Sequence, residues 1–239
     1  MRIVNCEQRS PEWYAARLGI PTASAMGKLI TPAGKARKGA TRDAYLLSLL
    51  AERLTRTPSH VSESAAMARG RELEPFARRY YEEHTGRIVK PVGFATDDTG
   101  RYGCSPDGVC FDNAIGIEIK CPMLPAFMAY AATGDVPDDY YVQMQACMMI
   151  FGFMAWDFIV YTDVRGLNPI IKRVDADIQF QAALMAVLEA ACNEVDEMYM
   201  MMRDSGHGVP VDTPLDLSAI YELDEQAIAE RDEMQAGDL

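Results

Sequence analysis

The stretch that most restricts what this chain can fold into is residues 103–122, which read GCSPDGVCFDNAIGIEIKCP. In residues 115–121, isoleucines alternate with Gly, Glu and Lys, which is the period of a strand with two different faces. Successive side chains of a strand point to opposite faces, so Glu118 and Lys120 share one face and the isoleucines share the other. The pattern predicts a strand that buries an apolar face and presents a carboxylate and an amine together.

A hairpin before that strand brings a second acid to the same place. Asp112 and Asn113 are turn-forming residues, and a hairpin that turns there sets Asp107 directly opposite Glu118. Cross-strand partners have Cβ atoms roughly 4.5–5.5 Å apart, where like charges repel. Two carboxylates beside Lys120 suit a hard divalent cation, which prefers oxygen ligands and keeps waters for chemistry. We therefore predict a site for Mg²⁺, with Mn²⁺ able to substitute.

The same residues form a nuclease signature. Pro106-Asp107, ten intervening residues and Glu118-x-Lys120 make the PD-(D/E)xK pattern. The longer run from CSPDG to IEIKCP resembles the family of phage lambda exonuclease and the YqaJ viral recombinases. That resemblance implies an α/β fold with a restriction-endonuclease-like core, in which a mixed central β-sheet is flanked by helices. We interpret four residues as shaping the turn around the acids, namely Gly103, Pro106, Gly108 and Gly116.

Length and composition favour one globular domain. A chain of 239 residues can fill one core, and 49% apolar with 24% charged residues is ordinary for a globular enzyme. We predict a single nuclease domain over residues 1–203 and an acidic extension over residues 204–239. The start of the chain has no apolar signal core, and no apolar run is long enough to span a bilayer. We therefore expect a cytoplasmic protein without a membrane segment.

The cysteines and histidines do not indicate a metal site. The six cysteines contain no CxxC pair, which argues against a zinc ribbon. Some relatives in the wider nuclease superfamily carry an iron–sulfur cluster. Three of these cysteines lie on the predicted hairpin, however, so we expect reduced, partly buried thiols. The three histidines are isolated in the sequence, which favours structural or surface roles.

The net charge of −12 is unevenly divided along the chain. Residues 1–101 hold 17 Lys and Arg against 11 Asp and Glu, whereas residues 102–239 hold 6 against 24. DNA would then be met by the N-terminal part, while the acidic remainder suppresses non-productive contacts. The alternative is that basic and acidic faces pair with each other, within the chain or across an oligomer. The basic loop 31–40 either follows the DNA backbone or is simply solvated.

The segment RLGIPTAS also matches the family, and it contains Arg17 and Ser24. By resemblance, these two residues bind phosphate oxygens of the DNA end, and Ser105 belongs to the same pocket for a 5′-terminal phosphate. An arginine fork and small hydroxyls near a helix N-terminus suit a phosphate. Without the resemblance, Arg17 would be interpreted as a surface charge and Ser24 as a helix cap.

Two short patterns of the family add further site residues by resemblance. Glu74 fits the acid of G-x-x-x-E and would hold a water or a second ion; the alternative is a carboxylate on a helix surface. Gln143 fits the first glutamine of Q-x-Q, and its amide would orient water or phosphate. The carbonyl of Ile119 would join Asp107 and Glu118 as the third protein ligand of the cation.

The remaining elements follow from caps and hydrophobic periodicity. We predict helices that begin at Ser10 and Thr41 and a helix over residues 63–85 that is interrupted or restarted near Gly70 and Pro75. The later predicted elements are strands over 87–95, 153–162 and 168–176, helices over 123–133 and 140–152, and a helix over 176–203 that packs on the sheet. The acidic extension forms a loop and a short amphipathic helix, or stays mobile.

The resemblance implies that the chain hydrolyses linear double-stranded DNA inside a bacterial host of a phage. Lys120 would lower the pKa of the attacking water or stabilise charge on the phosphoryl oxygens. The family further implies 5′-to-3′ digestion that leaves 3′ overhangs for a single-strand annealing recombinase, and a homotrimeric ring. One alternative is an endonuclease or a Cas4-like nuclease, which would cut closed circular DNA. The other is a DNA-binding module without activity, against which the intact Asp107, Glu118 and Lys120 argue.

Overall fold

A computed structural model describes residues 1–59, 64–218 and 220. Within this part of the chain, seven strands form two sheets and six α-helices surround them. The strands are β1 (Arg2–Val4), β2 (Phe94–Thr96), β3 (Gly103–Cys104), β4 (Gly108–Cys110), β5 (Ile115–Lys120), β6 (Ala155–Val160) and β7 (Ile170–Asp175). The helices are α1 (Pro11–Arg17), α2 (Ala40–Thr55), α3 (Ala65–Thr85), α4 (Leu124–Thr133), α5 (Asp138–Phe151) and α6 (Ile178–Asp204).

The predicted hairpin and the mixed sheet are both confirmed. Strands β4 and β5 pair antiparallel in the predicted register, with Gly108 opposite Ile117. The sheet continues in the order β4-β5-β6-β7, in which β5 and β6 are parallel and the other neighbours are antiparallel. A parallel pair needs a long crossover, and here the crossover contains α4 and α5. The fold is α/β, with a mixed sheet flanked by helices.

A second sheet, in the order β1-β2-β3, is not predicted by the sequence. The predicted strand over residues 87–95 is wrong in extent, because regular pairing covers only β2 and Lys90 makes an isolated bridge to Val109. Strands β3 and β4 belong to different sheets and are separated by Pro106. Proline has no N–H to donate to a ladder, so the pairing is broken there. Asp107 therefore lies where the chain passes from one sheet to the other.

Helix α3 runs unbroken through Gly70 and Pro75, so the predicted interruption is wrong. A proline inside a helix removes one backbone hydrogen bond and crowds the preceding turn. The helix is nevertheless held against the four-stranded sheet by Ala77 and Tyr81, neither of which has exposed surface. The free energy gained by burying Ala77 and Tyr81 outweighs the cost of Pro75 inside the helix. Gly86 ends the helix in the left-handed conformation, as the sequence predicts.

Two other helix boundaries test the predicted caps. Ser10 caps α1 as predicted, because its Oγ accepts a hydrogen bond from Trp13 N. Thr41 does not cap α2, which starts at Ala40 after Gly39; the φ of 93° at Gly39 is one that glycine adopts easily.

The packing of α6 differs from the prediction. The sequence predicts that this helix packs directly on the sheet, but it packs mainly on α2 and α5.

Apolar clusters cover both sides of the four-stranded sheet. The three isoleucines of β5 pack with buried residues of α3. The opposite, larger cluster joins buried residues of α2, α5 and α6 to Trp156 and Phe158 of β6. The alternation along β5 therefore leaves Glu118 and Lys120 on the side that α5 covers.

Some predictions lie outside the described residues, including the place of His60 and most of the predicted C-terminal amphipathic helix. The six cysteines are free thiols, and four of them are buried. Across residues 1–59, 64–218 and 220, no helix combines the length and the apolar character that crossing a membrane requires.

Candidate active site

The two hairpin acids and the lysine meet near the end of β5. Lys120 Nζ lies 2.6 Å from Glu118 Oε1. Asp107 Oδ2 accepts a 2.6 Å hydrogen bond from the backbone N–H of Ile119. Glu118 is fully buried, whereas 28% of the Lys120 side chain is exposed. The strand thus fixes the carboxylates, and the amine extends from them toward the surface.

Burial dominates the electrostatics of these groups. It raises the pKa of Glu118 to about 7, against the opposing effect of Lys120. It also raises the pKa of Asp107, although Lys120 and the Ile119 N–H oppose the rise. For Lys120, burial lowers the pKa, but Glu118 and Asp107 outweigh burial and raise it above the ordinary lysine value. Glu118 is buried and Asp107 is half-buried, and together the two acids carry more negative charge than one amine balances, so the site favours a further cation.

Helix α5 contributes two side chains to this face of β5. Gln143 Nε2 donates to both carboxylate oxygens of Glu118 at 2.9 Å. Lys120 Nζ lies over the ring of Tyr140, 4.7 Å from its centroid. Residues three apart on a helix share a face, so α5 delivers both side chains together. Gln143 is predicted from the sequence and Tyr140 is not, although the three-residue spacing between them is a signal that could have indicated Tyr140.

Helix α3 brings Glu74 beside the hairpin together with Arg78, a residue that is not predicted from the sequence. Arg78 Nη2 donates to Glu74 Oε1 at 2.7 Å and to the backbone carbonyl of Asp107 at 2.8 Å. Burial and the charge of Asp107 raise the pKa of Glu74, and Arg78 opposes the rise. Arg78 Nε is buried and makes no hydrogen bond to any described residue. The i, i+4 spacing of the two residues is the signal for Arg78.

The donors present suit a hard divalent cation. In the described ranges, no group of three or more His, Cys, Asp or Glu side chains has metal-binding spacing. An ion here would be held by the carboxylates of Asp107 and Glu118 with backbone oxygen and water. The N–H and C=O of one extended residue point to the same side, and the Ile119 N–H points at Asp107. One or two carboxylates with several waters is a usual ligand set for Mg²⁺.

A cavity of about 470 Å³ lies beside α1 and the 3₁₀ segment Ala23–Lys28. Arg17, Ser24 and Lys28 line it, and Ser24 is exposed on its wall. Glu52 also lines the cavity, but its carboxylate already accepts two backbone N–H groups. The wall therefore offers a guanidinium, an ammonium and a hydroxyl to an anion.

Arg17 is held in place by an aromatic ring and a hydroxyl. Its guanidinium carbon lies 4.0 Å from the centroid of the Trp13 ring, and Nη1 donates to Ser105 Oγ at 3.2 Å. Trp13 Nε1 donates to the same oxygen at 2.8 Å. Burial lowers the pKa of Arg17, yet an arginine in a protein stays charged. Because Ser105 precedes Asp107 by two residues, one short segment connects the cavity wall to the acids.

Comparison with known proteins gives a family match and several matching solved structures. Residues 12–154 match the family model of the YqaJ-like viral recombinase domain. An alkaline exonuclease from Laribacter hongkongensis is 34% identical, with a TM-score of 0.75, and the match covers 82% of this chain and 98% of that chain. A complex of that exonuclease with dAMP is 35% identical, with a TM-score of 0.74 and the same coverage.

A more distant structure matches in fold alone. A phage-related exonuclease from Haemophilus somnus 129PT has a TM-score of 0.61 at 14% identity, and the match covers 77% of this chain and 96% of that chain. None of the curated protein sequences matches the chain. The structural match at 14% identity shows a shared fold.

Proposed function

This chain belongs to the YqaJ-like viral recombinase family, and we propose that it is a metal-dependent exonuclease of double-stranded DNA. The observation that carries the proposal is the arrangement of the hairpin. Glu118 is buried with Lys120 at 2.6 Å, and Asp107 is bound to the backbone between these two residues. A likeness to an alkaline exonuclease over 82% of the chain supports it.

The proposed cofactor is Mg²⁺, which Mn²⁺ would replace, held by the carboxylates of Asp107 and Glu118 and the carbonyl of Ile119. When bound, such an ion polarises the scissile phosphate and makes water a stronger nucleophile at neutral pH. The support for this proposal is the donor chemistry: two carboxylates meet at the hairpin, and burial raises the pKa of each of them.

The other side chains of the site have distinct proposed roles. Lys120 has a raised pKa and stays protonated at neutral pH, so it would stabilise charge that develops on the phosphoryl oxygens. Gln143 holds the Glu118 carboxylate with its amide nitrogen, and its amide oxygen would accept a hydrogen bond from a water and so orient it. Glu74, oriented by Arg78, would hold a further water or ion.

The Arg17 cavity is the proposed site for the 5′-terminal phosphate of the DNA, which would set 5′-to-3′ digestion and leave 3′ overhangs. The cavity offers Arg17 and Ser24, and Ser105 connects Arg17 to the segment that carries Asp107. The complex of the 35% identical exonuclease with dAMP supports binding of a nucleoside monophosphate. The overhangs would serve a single-strand annealing recombinase, and family membership also supports a homotrimer.

Linear duplexes labelled at either the 5′ or the 3′ end test the proposal. With Mg²⁺, we expect early release of the 5′ label as mononucleotides and late release of the 3′ label. With EDTA, neither label should be released, and closed circular plasmid should stay intact under both conditions. Release in EDTA would contradict the metal dependence. Cleavage of closed circles would favour the endonuclease alternative, and a chain without any hydrolysis would favour the binding module.

Variants of the hairpin separate metal binding from catalysis. Asp107→Asn, Glu118→Gln and Lys120→Met should each abolish release of label. The first two should also weaken Mn²⁺ binding in a calorimetric titration, because they remove ligand charge. Lys120→Met should leave that binding mostly intact. A fully active Asp107→Asn variant would remove the hairpin from the proposed site.

A further inference from the structure

We infer that Tyr140 is a positioning residue of the nuclease site, whose aromatic face holds the Lys120 ammonium in place for the phosphate. The inference rests on the proposed function, since it concerns how that site places its cation. Its observation is the 4.7 Å distance between Lys120 Nζ and the ring centroid. An ammonium within about 6 Å of an aromatic centroid is attracted by the negative face of the ring.

The strand and the helix present two matched pairs of side chains. On β5, Glu118 and Lys120 lie about 6.6 Å apart along the strand, two residues at about 3.3 Å each. On α5, Tyr140 and Gln143 lie about 4.5 Å apart along the helix, three residues at about 1.5 Å each. Gln143 binds Glu118 and the Tyr140 ring lies under Lys120. The helix therefore supplies one partner to each charged group of the strand.

The contact with Glu118 is a poor sole anchor for the lysine in the working site. Glu118 is also a proposed ligand of the cation, and an oxygen shared with a cation is a weaker acceptor for an ammonium. A lysine side chain also loses much rotamer entropy when it is held in one place. The ring of Tyr140 is not a proposed ligand of the metal ion. Its face therefore attracts the Lys120 ammonium whether or not a metal ion is bound to Glu118.

The ring of Tyr140 is itself fixed to the sheet. Its centroid lies 5.5 Å from that of Phe158, which is 2% exposed. Phe158 pairs with Glu118 in the parallel register of β5 and β6. The plain alternative is that Tyr140 is only a packing residue. That alternative predicts the same activity for any side chain of the same shape, whatever the electron density of its ring.

Substitutions at position 140 distinguish the two roles. Tyr140→Phe keeps the ring face, and Tyr140→Leu removes it. We expect kcat within about twofold of the wild type for Phe and about tenfold lower for Leu, with KM for DNA ends changing less than kcat. A series of singly, doubly and triply fluorinated phenylalanines at this position keeps the shape but weakens the ring face, so kcat should fall stepwise along it.

The neighbouring Tyr141 provides a matched control on the same helix. Its ring packs on Phe180 with centroids 5.3 Å apart, and its hydroxyl donates to Asp177. Tyr141→Leu should lower the melting temperature and leave kcat unchanged. A Tyr140→Leu variant above half the wild-type rate, a Phe variant as slow as Leu, a flat fluorinated series, or an equal loss of kcat in the control would each overturn the inference alone. An inactive wild type would overturn the proposed function and this inference with it.

Discussion

At the scale of single residues, the burial of charge accounts for the arrangement of the site. A buried carboxylate is costly unless charges and hydrogen bonds compensate for its desolvation. Glu118 pairs with Lys120 and accepts hydrogen bonds from the amide of Gln143. Asp107 accepts a hydrogen bond from a backbone N–H. These partners do not restore an ordinary pKa to either acid. The uncompensated part of this cost is what a bound cation would remove.

We predict that Glu118→Gln stabilises the metal-free protein at pH 8 and does so much less at pH 5. In the unchanged protein, the pKa of Glu118 is raised from 4.5 to about 7. Between these pH values the folded state therefore binds more protons than the unfolded chain. Stability therefore falls as the pH rises through this window. Above it, the ionised acid costs on the order of 3 kcal/mol, which the neutral amide avoids.

Urea unfolding in EDTA at both pH values measures this effect. Glu83→Gln, which changes an acid with 72% of its side chain exposed, is the control and should alter stability little at either pH. If Glu118→Gln raised the stability equally at pH 5 and pH 8, or lowered it at pH 8, the ionised Glu118 carboxylate would not destabilise the folded protein.

Arg17 carries the predicted preference for a phosphorylated end. A terminal monoester has more negative charge than an internal diester, and each charge-assisted hydrogen bond contributes about 1.5–3 kcal/mol. Duplex with a 5′-phosphate should therefore be degraded at least about tenfold faster than duplex with a 5′-hydroxyl. Arg17→Gln should erase most of that ratio and leave Mn²⁺ binding unchanged, because the side chain contacts Trp13 and Ser105 and not the acids.

Initial rates on the two duplexes provide the measurement. Arg79→Gln removes an arginine with 77% of its side chain exposed, so it controls for a general loss of positive charge and should keep the ratio. Equal wild-type rates on both duplexes, or an undiminished ratio in Arg17→Gln, would exclude the cavity as the phosphate site.

At the scale of elements, three glycines decide how closely strands and neighbouring side chains approach. Gly103, Gly108 and Gly116 lie in strands, and none of the three adopts a left-handed φ, so the prediction that they shape the turn is wrong. An added Cβ at Gly116 would lie 2.1 Å from the ring of Trp156. These glycines make room for large neighbours instead.

We accordingly predict that Gly116→Ala lowers the free energy of unfolding by about 2–3 kcal/mol. The indole of Trp156 is fully buried, so it can move aside only by displacing its closely packed neighbours. Gly70→Ala is the control, because a Cβ there meets nothing within 4 Å and alanine favours a helix interior by about 0.5–1 kcal/mol. Denaturant unfolding should give opposite signs for the two changes. A neutral Gly116→Ala would mean that the strands can separate without cost.

The same scale explains what the sequence predicts well and what it does not. The alternation along β5 and the turn at Asp112 set the hairpin register, which brings Asp107 and Glu118 together. The sequence predicts this well because both features depend only on residues that are close in the chain. The sheet of β1, β2 and β3 has strands of two or three residues, too short to show a period. Tyr140 and Arg78 were missed because their roles depend on which helix faces meet the strand, and tertiary packing decides that.

At the scale of the whole molecule, part of the basic excess of the N-terminal half is used internally. Arg42 pairs with Glu194, and Arg53 and Arg101 both pair with Asp196. These contacts join the basic half to α6. Arg69 also pairs with Asp163 and Arg87 with Asp157, so among the described residues pairing of basic and acidic groups across the two halves of the chain accounts for these five arginines. The charges left for DNA are those that remain exposed or line the Arg17 cavity.

Family membership leads us to predict a homotrimer. Light scattering at working concentration should give three times the 26.5 kDa mass of the chain. A ring that encloses its substrate should also digest a long duplex without exchanging it, so an excess of unlabelled competitor added after the start should not slow an ongoing reaction. A monomer that still digests processively would contradict the ring.

The last prediction concerns the basic loop 31–40, for which the sequence leaves contact with DNA and simple solvation open. Lys35 and Lys38 are exposed, and each phosphate contact steepens the fall of log K with log salt by about 0.9. If the loop follows the backbone, changing both lysines to Gln should make that slope shallower by about 1.8, measured as binding to duplex ends in EDTA so that no DNA is consumed. Lys172→Gln removes one positive charge in β7, within the acidic half of the chain, and should leave the slope unchanged. An unchanged slope in the double variant would instead mean that the loop is solvated, and that the remaining basic residues carry the attraction to DNA against a net charge of −12.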